Sequence, residues 1–259
     1  MNDALSLWLG ALPAIAVLSL VAWGVATARR NVGLVDIFWP AFFLVAAAAY
    51  ALSDSVGGPR GWIALALVAA WALRLAGYLA ARNWGAPEDR RYRAIRARNE
   101  PGFAWKSLYV VFGLQAVLAW AISAPLAPAI RATGPLDVLA WAGGALAAFG
   151  IAFEAIADQQ LARFLARPGS SGQVMNQGLW RYSRHPNYFG EFCVWWGLYL
   201  LAAGAGGAWT LFSPALITIL LLRVSGVSLL EKDIRERRPG YREYVRRTNA
   251  FFPGLPRKA

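Results

Sequence analysis

Between Arg181 and Glu191 the chain reads Arg-Tyr-Ser-Arg-His-Pro-Asn-Tyr-Phe-Gly-Glu, and an apolar run from Phe192 to Leu201 follows at once. Two arginines, the chain's one histidine, an asparagine, two tyrosines and a glutamate therefore stand at the mouth of an apolar segment. Pro186 suits the first position of a helix, where its missing N–H costs nothing. Asn187 and Glu191 are four residues apart and then share one helix face. Unpaired N–H groups and the positive end of the helix dipole favour an anionic ligand, with Arg181 and Arg184 just outside and His185 and Tyr188 beside them. A basic interfacial anchor is the plain alternative, but an anchor has no need of Asn187 and Glu191 inside the apolar boundary.

Other ionisable groups fall within apolar segments, where charge is costly and marks function by default. Asp36 stands two residues before Phe38-Trp39-Pro40. Arg74 and Tyr78 are four apart and present one face, and Glu154 and Asp158 repeat that spacing. Arg223 lies two turns before Glu231. The competing expectation is a set of structural ion pairs, for example Asp36 with Arg74. Several chemistries are excluded. One histidine cannot furnish the many ligands of a membrane di-iron enzyme, and His185 with Cys193 makes no zinc set. No Gly-x-Gly-x-x-Gly turn follows a strand, and no Ser/His/Asp spacing suggests a hydrolase.

The elements that must position these groups are membrane helices. Apolar residues make up 58% of the 259, and mean hydropathy is +0.41. Charged residues are 15%, against about a quarter in soluble domains. The sequence predicts an all-α integral membrane protein of about seven transmembrane helices, at about 5–27, 34–52, 61–81, 105–125, 135–157, 187–204 and 208–230. Pro/Gly breaks at 57–59, 125–135 and 204–207 separate some of them. The first run lacks a basic segment before it and ends in Arg29-Arg30, a stop-transfer pattern rather than a signal peptide. The net charge of +12 is gathered in alternate loops: Arg29/Arg30, Arg82 to Lys106, Arg163 to Arg184 and Lys232 to Lys258. The other loops hold only Arg60 and Arg131. That bias places the N-terminus outside, the C-terminus in the cytoplasm and the basic loops against anionic lipid, and it argues against nucleic acid. No repeat or linker appears, so one membrane domain over 1–259 is expected, in a bacterial inner membrane. A single cysteine excludes an internal disulfide.

Over most of its length, and most strongly over 150–253, the chain resembles the C-terminal domain of the steroid 5α-reductase family and its uncharacterised bacterial membrane relatives. Gly178-Leu-Trp-Arg-Tyr-Ser-Arg-His-Pro-Asn-Tyr-Phe-Gly-Glu191 is similar to the Asn-Tyr-Phe-Gly-Glu segment of 5α-reductases and to the Arg-His-Pro-Asn-Tyr segment of sterol C=C reductases. Arg238-Pro-Gly-Tyr-Arg-Glu-Tyr244 with Phe252-Pro253 resembles the family's terminal region. The resemblance implies a seven-helix reductase whose NADPH is held by the cytoplasmic ends of the later helices. Asn187, Glu191 and Asp158 match cofactor-contacting positions, and Glu154 stands where 5α-reductases have Asn. Val35-Asp36 replaces the family's Gln-Glu pair, and the Tyr78-to-Arg82 spacing differs from the family's by one residue.

The expected function is NADPH-dependent reduction of a polarised C=C bond in an apolar lipid substrate. The candidate catalytic residues are Asp36 and Tyr78, the phenol polarising a carbonyl with the carboxyl as its partner. The cofactor residues are Arg82, Glu154, Asp158, Arg181, Arg184, His185, Asn187, Tyr188, Glu191, Arg223, Glu231, Tyr241, Tyr244 and Arg247, and arginine forks suit its phosphates. No metal is expected. Two alternatives stand beside this one. The isoprenylcysteine carboxyl methyltransferases of the same superfamily carry a similar Arg-His-Pro-x-Tyr-x-Gly and bind S-adenosylmethionine. A non-enzymatic lipid-binding membrane protein is the other.

Overall fold

Long runs of Ala, Leu, Val and aromatic residues, broken by Gly and Pro, leave the backbone no polar partners but its own, and the chain answers with helices. The structure is a computed structural model and describes residues 2–170, 172–224 and 240–257. Among these residues there is no strand, only an isolated parallel bridge between Ser183 and Asn249.

Five stretches are long and apolar enough to cross a membrane: Ala4–Ala28, Val32–Ser53, Pro59–Asn83, Phe103–Ile122 and Val138–Leu165. This is consistent with an integral membrane protein. The sixth and seventh expected spans are weaker in form. One is the helix Pro186–Ala203, polar over its first two turns, and the other is the shorter apolar stretch Ala208–Val224. The rest of the predicted seventh span lies outside the described residues. Exposed Val17, Leu20, Val21, Leu73, Val117 and Phe149 give the outer faces an apolar surface that lipid would cover.

The chain divides into two compact units. The first comprises Met1–Trp141 and Tyr199–Ser213. It opens with α1 (Asn2–Gly10) and α2 (Leu12–Ala28), which run on through a turn at Ala11 as the single expected first span, Ala4–Ala28. Then follow α3 (Val35–Ser53), α4 (Pro59–Asn83), α5 (Arg90–Asn99) and α6 (Phe103–Ser107). A π-helical stretch, Leu108–Gly113, joins α6 to α7 (Leu114–Ile122), and α8 (Leu126–Arg131) lies where only a Pro/Gly break was expected. Helices α3 and α4 pack most extensively. Fully buried Ala46, Ala64 and Ala72 allow close approach where lipid tails offer no hydrophobic drive. Trp8 and Trp120 stack at 4.1 Å and exchange indole-to-carbonyl bonds of 2.9 Å, which ties α1 to α7.

The second unit comprises Ala142–Leu198 and Pro214–Ala259. It is built on α9 (Val138–Leu165) from Ala142 onward and on most of α10 (Pro186–Ala203), with α11 (Phe212–Ile219) and α12 (Tyr241–Arg247). Glycines bring α9 and α10 almost to backbone contact. A Cβ on Gly190 would lie 2.6 Å from Glu154 Cβ and 2.8 Å from Gly150 O, and one on Gly197 2.6 Å from Ala147 N. Phe189, Phe192, Phe251 and Phe252 form an aromatic cluster, their ring centroids 5.2–6.1 Å apart.

Candidate functional site

In the second unit the residues singled out by the sequence collect around the α9–α10 crossing. Helix α10 begins at Pro186, as that residue's missing donor favours. Glu154, Asp158, His185 and Glu191 are all buried, at 3%, 3%, 4% and 8% exposure. Glu154 packs on Gly190, directly before Glu191, and Asp158 lies one turn further along α9. Asn187 and Tyr188 are half-buried, and Tyr188 stacks on His185 with centroids 5.5 Å apart. Three carboxylates held at low exposure in an apolar unit are costly unless hydrogen-bonded.

The loop before α10 is fastened by the chain's C-terminal part. Tyr244 OH donates to Trp180 O and, at 3.3 Å, to Ser183 O. Ser183 Oγ donates to Phe251 O at 2.7 Å and accepts from His185 N at 3.1 Å. Arg184 N donates to Asn249 O at 2.9 Å, and Gly254 N to Tyr182 O at 3.0 Å. From the other side, Trp180 Nε1 donates to Ala157 O at 3.0 Å and Leu179 N to Gln160 Oε1 at 2.9 Å. Arg184, which the sequence assigned to ligand phosphate, is 8% exposed, and its Nη1 donates to Val245 O at 3.2 Å and to Thr248 O. It closes the C-terminal end of α12, where unpaired carbonyls and the negative dipole end favour a cation. Arg181, Arg223 and Arg247 are exposed, and Arg247 also pairs with Glu243 at 2.5 Å. Tyr241 and Tyr244 are buried and their rings pack edge-on. Glu231 lies outside the described residues.

The first unit holds a different cluster. Asp36, at the start of α3, accepts from Tyr92 OH at 2.5 Å on Oδ1 and from Arg91 Nη2 at 3.1 Å on Oδ2. Both partners come from α5, started by Asp89, whose carboxylate accepts from Arg91 N at 2.8 Å as an N-cap. Gln115 Nε2 donates to Tyr92 OH at 3.3 Å. Burial first, and then the Asp36 charge, push the Tyr92 phenol well above its ordinary value. Beside this group Glu88 accepts from Arg96 at 2.8 and 3.0 Å and from Val32 N at 2.8 Å. Burial raises the Glu88 carboxyl, but those bonds and the Arg96 charge outweigh it and hold it below its ordinary range.

This geometry corrects the expected pairing of Asp36. Its phenol is Tyr92 rather than Tyr78, and its arginine is Arg91 rather than Arg74. Tyr78 and Arg74 are half-buried on α4, and the Arg82 guanidinium lies 5.5 Å over the Tyr78 ring. Sequence reasoning missed Arg91, Tyr92 and Gln115. The available signal was Asp89 before Arg90-Arg91-Tyr92, a helix-start pattern inside what looked like a basic loop.

A protein-family model matches residues 22–248, and its description is a protein of unknown function. The chain is also similar to Uncharacterized protein C594.04c of Schizosaccharomyces pombe, with 30% identity over 278 aligned residues that cover 92% of this chain and 77% of that protein. No solved structure matches. With nearly its whole length inside the match, the chain belongs to the DUF1295 family.

Proposed function

We propose that the protein is a membrane-embedded, NADPH-dependent reductase of a polarised C=C bond in an apolar lipid. The observation that carries this reading is the buried acidic group Glu154, Asp158 and Glu191 in the second unit, with exposed Arg181, Arg223 and Arg247 in the same unit. Such a donor set suits a dinucleotide. Carboxylates and Asn187 accept from and donate to ribose hydroxyls and a carboxamide, while exposed guanidinium forks suit phosphates. Bound NADPH would supply hydride to the substrate's β-carbon. The chain's own part is to bind the nucleotide, exclude water and polarise the substrate carbonyl.

Tyr78 is the phenol assigned to that carbonyl. Asp36, which accepts from Arg91 and from the phenol of Tyr92, is assigned in this reading to holding α3 and α5 together rather than to the catalytic pair. The proposed topology adds α10 and Ala208–Val224 to the five spans. The N-terminus is outside, with the C-terminus and basic loops in the cytoplasm of a bacterial cell.

The same buried carboxylates favour a second reading, since they also suit the sulfonium cation of S-adenosylmethionine in a methyltransferase. Titration of the purified protein in nanodiscs with NADPH, NADH and S-adenosylmethionine separates the two. Saturable NADPH binding that weakens in Asn187→Ala and Glu191→Gln supports the reductase. Binding of S-adenosylmethionine without NADPH overturns it.

A further inference from the structure

At the end of the first unit opposite Arg29/Arg30 and α5, the turn 131–137, the Gly204-Ala205 turn and the first turn of α4 line a cavity of about 560 Å³. Its lining includes Arg60 and Arg131, the two basic residues of the otherwise uncharged-to-acidic loops. Arg60 is unusual in three respects. It sits in the first turn of α4, where the helix dipole disfavours a cation, and it is only 3% exposed. Its Nη1 donates to Leu201 O at 3.1 Å and its Nη2 to Pro135 O at 3.3 Å and Asp137 Oδ2 at 3.1 Å. Yet its buried Nε has no acceptor among the described residues.

The site is built rather than incidental. A Cβ on Gly204 would lie 2.5 Å from Arg60 Nη1 and 2.7 Å from Asp137 Oδ2, so that position must stay bare to admit the pair. Asp137 is fixed by accepting from Ala140 N at 2.8 Å at the start of α9, which together with the Arg60 contact holds its carboxyl below its ordinary range. Two helix N-termini, of α4 and α9, therefore border the cavity, each equivalent to roughly half a positive charge. Each of the two arginines has an aspartate partner, Arg60 with Asp137 and Arg131 with Asp54, so the positive field left at the cavity is that of the two helix ends. Arg131 is held at the rim by Asp54, and Thr133 adds a hydroxyl.

We propose that this cavity binds a phosphate group, as a lipid headgroup or as a free anion, at the end of the first unit away from the basic loops. The two helix ends, the Thr133 hydroxyl and the half-buried Arg131 guanidinium, which would exchange Asp54 for the anion, suit that oxyanion. The test uses the full chain in phosphatidylcholine nanodiscs, with two probes: inorganic phosphate in solution, and phosphatidylglycerol doped into the bilayer. Binding is read by phosphorus NMR and thermal shift. Either probe should bind and stabilise. Response to the doped lipid alone assigns a headgroup, and response to inorganic phosphate assigns a free anion.

Arg131→Gln should weaken binding about tenfold, the scale of one charge-assisted hydrogen bond. Asp54→Asn removes the carboxylate that competes with the anion for Arg131 and should tighten binding. The inference is overturned if neither probe binds, or if affinity is unchanged in Asp54→Asn, which would leave Arg60–Asp137 and Arg131–Asp54 as loop locks. NADPH affinity measured on the same variants should not move, so loss of this site and loss of the reductase reading are told apart.

Discussion

Asp36→Asn is expected to destabilise the first unit while leaving nucleotide affinity in the second unchanged. Asp36 and Arg91 are 21% and 28% exposed, between a surface pair worth less than about 1 kcal/mol and a buried pair whose rupture costs about 3–5. Asparagine keeps an oxygen for the Tyr92 phenol but turns an amide or a neutral oxygen toward Arg91. The expected cost is therefore about 1–3 kcal/mol. For a chain of this size that is a fall in Tm of roughly 2–10 °C. Tyr92→Phe keeps the ring in its apolar cluster but strips a donor from Asp36 and an acceptor from Gln115, for about 1–2 kcal/mol. Because the two residues share one bond, the double variant should be less destabilised than the sum, by about 1 kcal/mol. Thermal unfolding of purified protein in one detergent, with NADPH titration on each variant, reads both quantities. An unchanged Tm in Asp36→Asn together with abolished nucleotide-dependent turnover would refute the lock and return Asp36 to chemistry.

Gly190→Ala should lower stability by about 1–3 kcal/mol and weaken nucleotide binding together, because the added methyl meets Glu154 and Gly150 backbone at the α9–α10 crossing; a silent variant would mean that the helices move apart freely. Arg184→Lys should cost more stability than Arg181→Lys, since Arg184 is buried with its Nη1 bonded to Val245 O and Thr248 O whereas Arg181 is exposed, and equal melting curves would contradict the clasp. Glu88 titrates below its ordinary 4.5 in the folded chain, so its stabilisation is complete above that value and is lost as pH falls through the depressed one. Glu88→Gln should accordingly flatten the acid limb of Tm against pH, and a limb of unchanged slope would remove Glu88 from that role.

Much of this was legible because the physics is local. Pro186 marks the start of α10, the i, i+4 spacing of Glu154 and Asp158 gives them a common face, and apolar runs bounded by Arg or Gly give helices. What the sequence hid was set by partners far along the chain. The sequence pairs Asp36 with Arg74 as a structural ion pair or with Tyr78 as a catalytic partner, both on α4, but the carboxylate is satisfied 55 and 56 residues away by Arg91 and Tyr92. Helix α5 was obscured by its own composition, since the arginine-rich stretch from Arg82 to Lys106 reads as a basic segment against anionic lipid unless Asp89 is weighed as a cap. Helix α8 was lost for the converse reason. Pro125 and Pro128 read as breaks, although Pro is tolerated in a helix's first turn.

Burial divides the motif before α10 between two tasks. Arg184 is buried and its Nη1 serves the C-terminal clasp through Val245 O and Thr248 O, and under the proposed reading the exposed Arg181 is the phosphate contact. The same division applies to the tyrosines. Tyr244 donates its proton to Trp180 O and Ser183 O, while Tyr188 keeps its ring on His185 at the helix mouth. A sequence pattern shared by reductases and methyltransferases is thus expected to owe part of its composition to the clasp, which any cofactor bound there would need. Under the proposed reading, discrimination between cofactors would come from the remainder, Asn187 and Glu191 with Glu154 and Asp158, an amide and three carboxylates that a carboxamide and a sulfonium would meet differently.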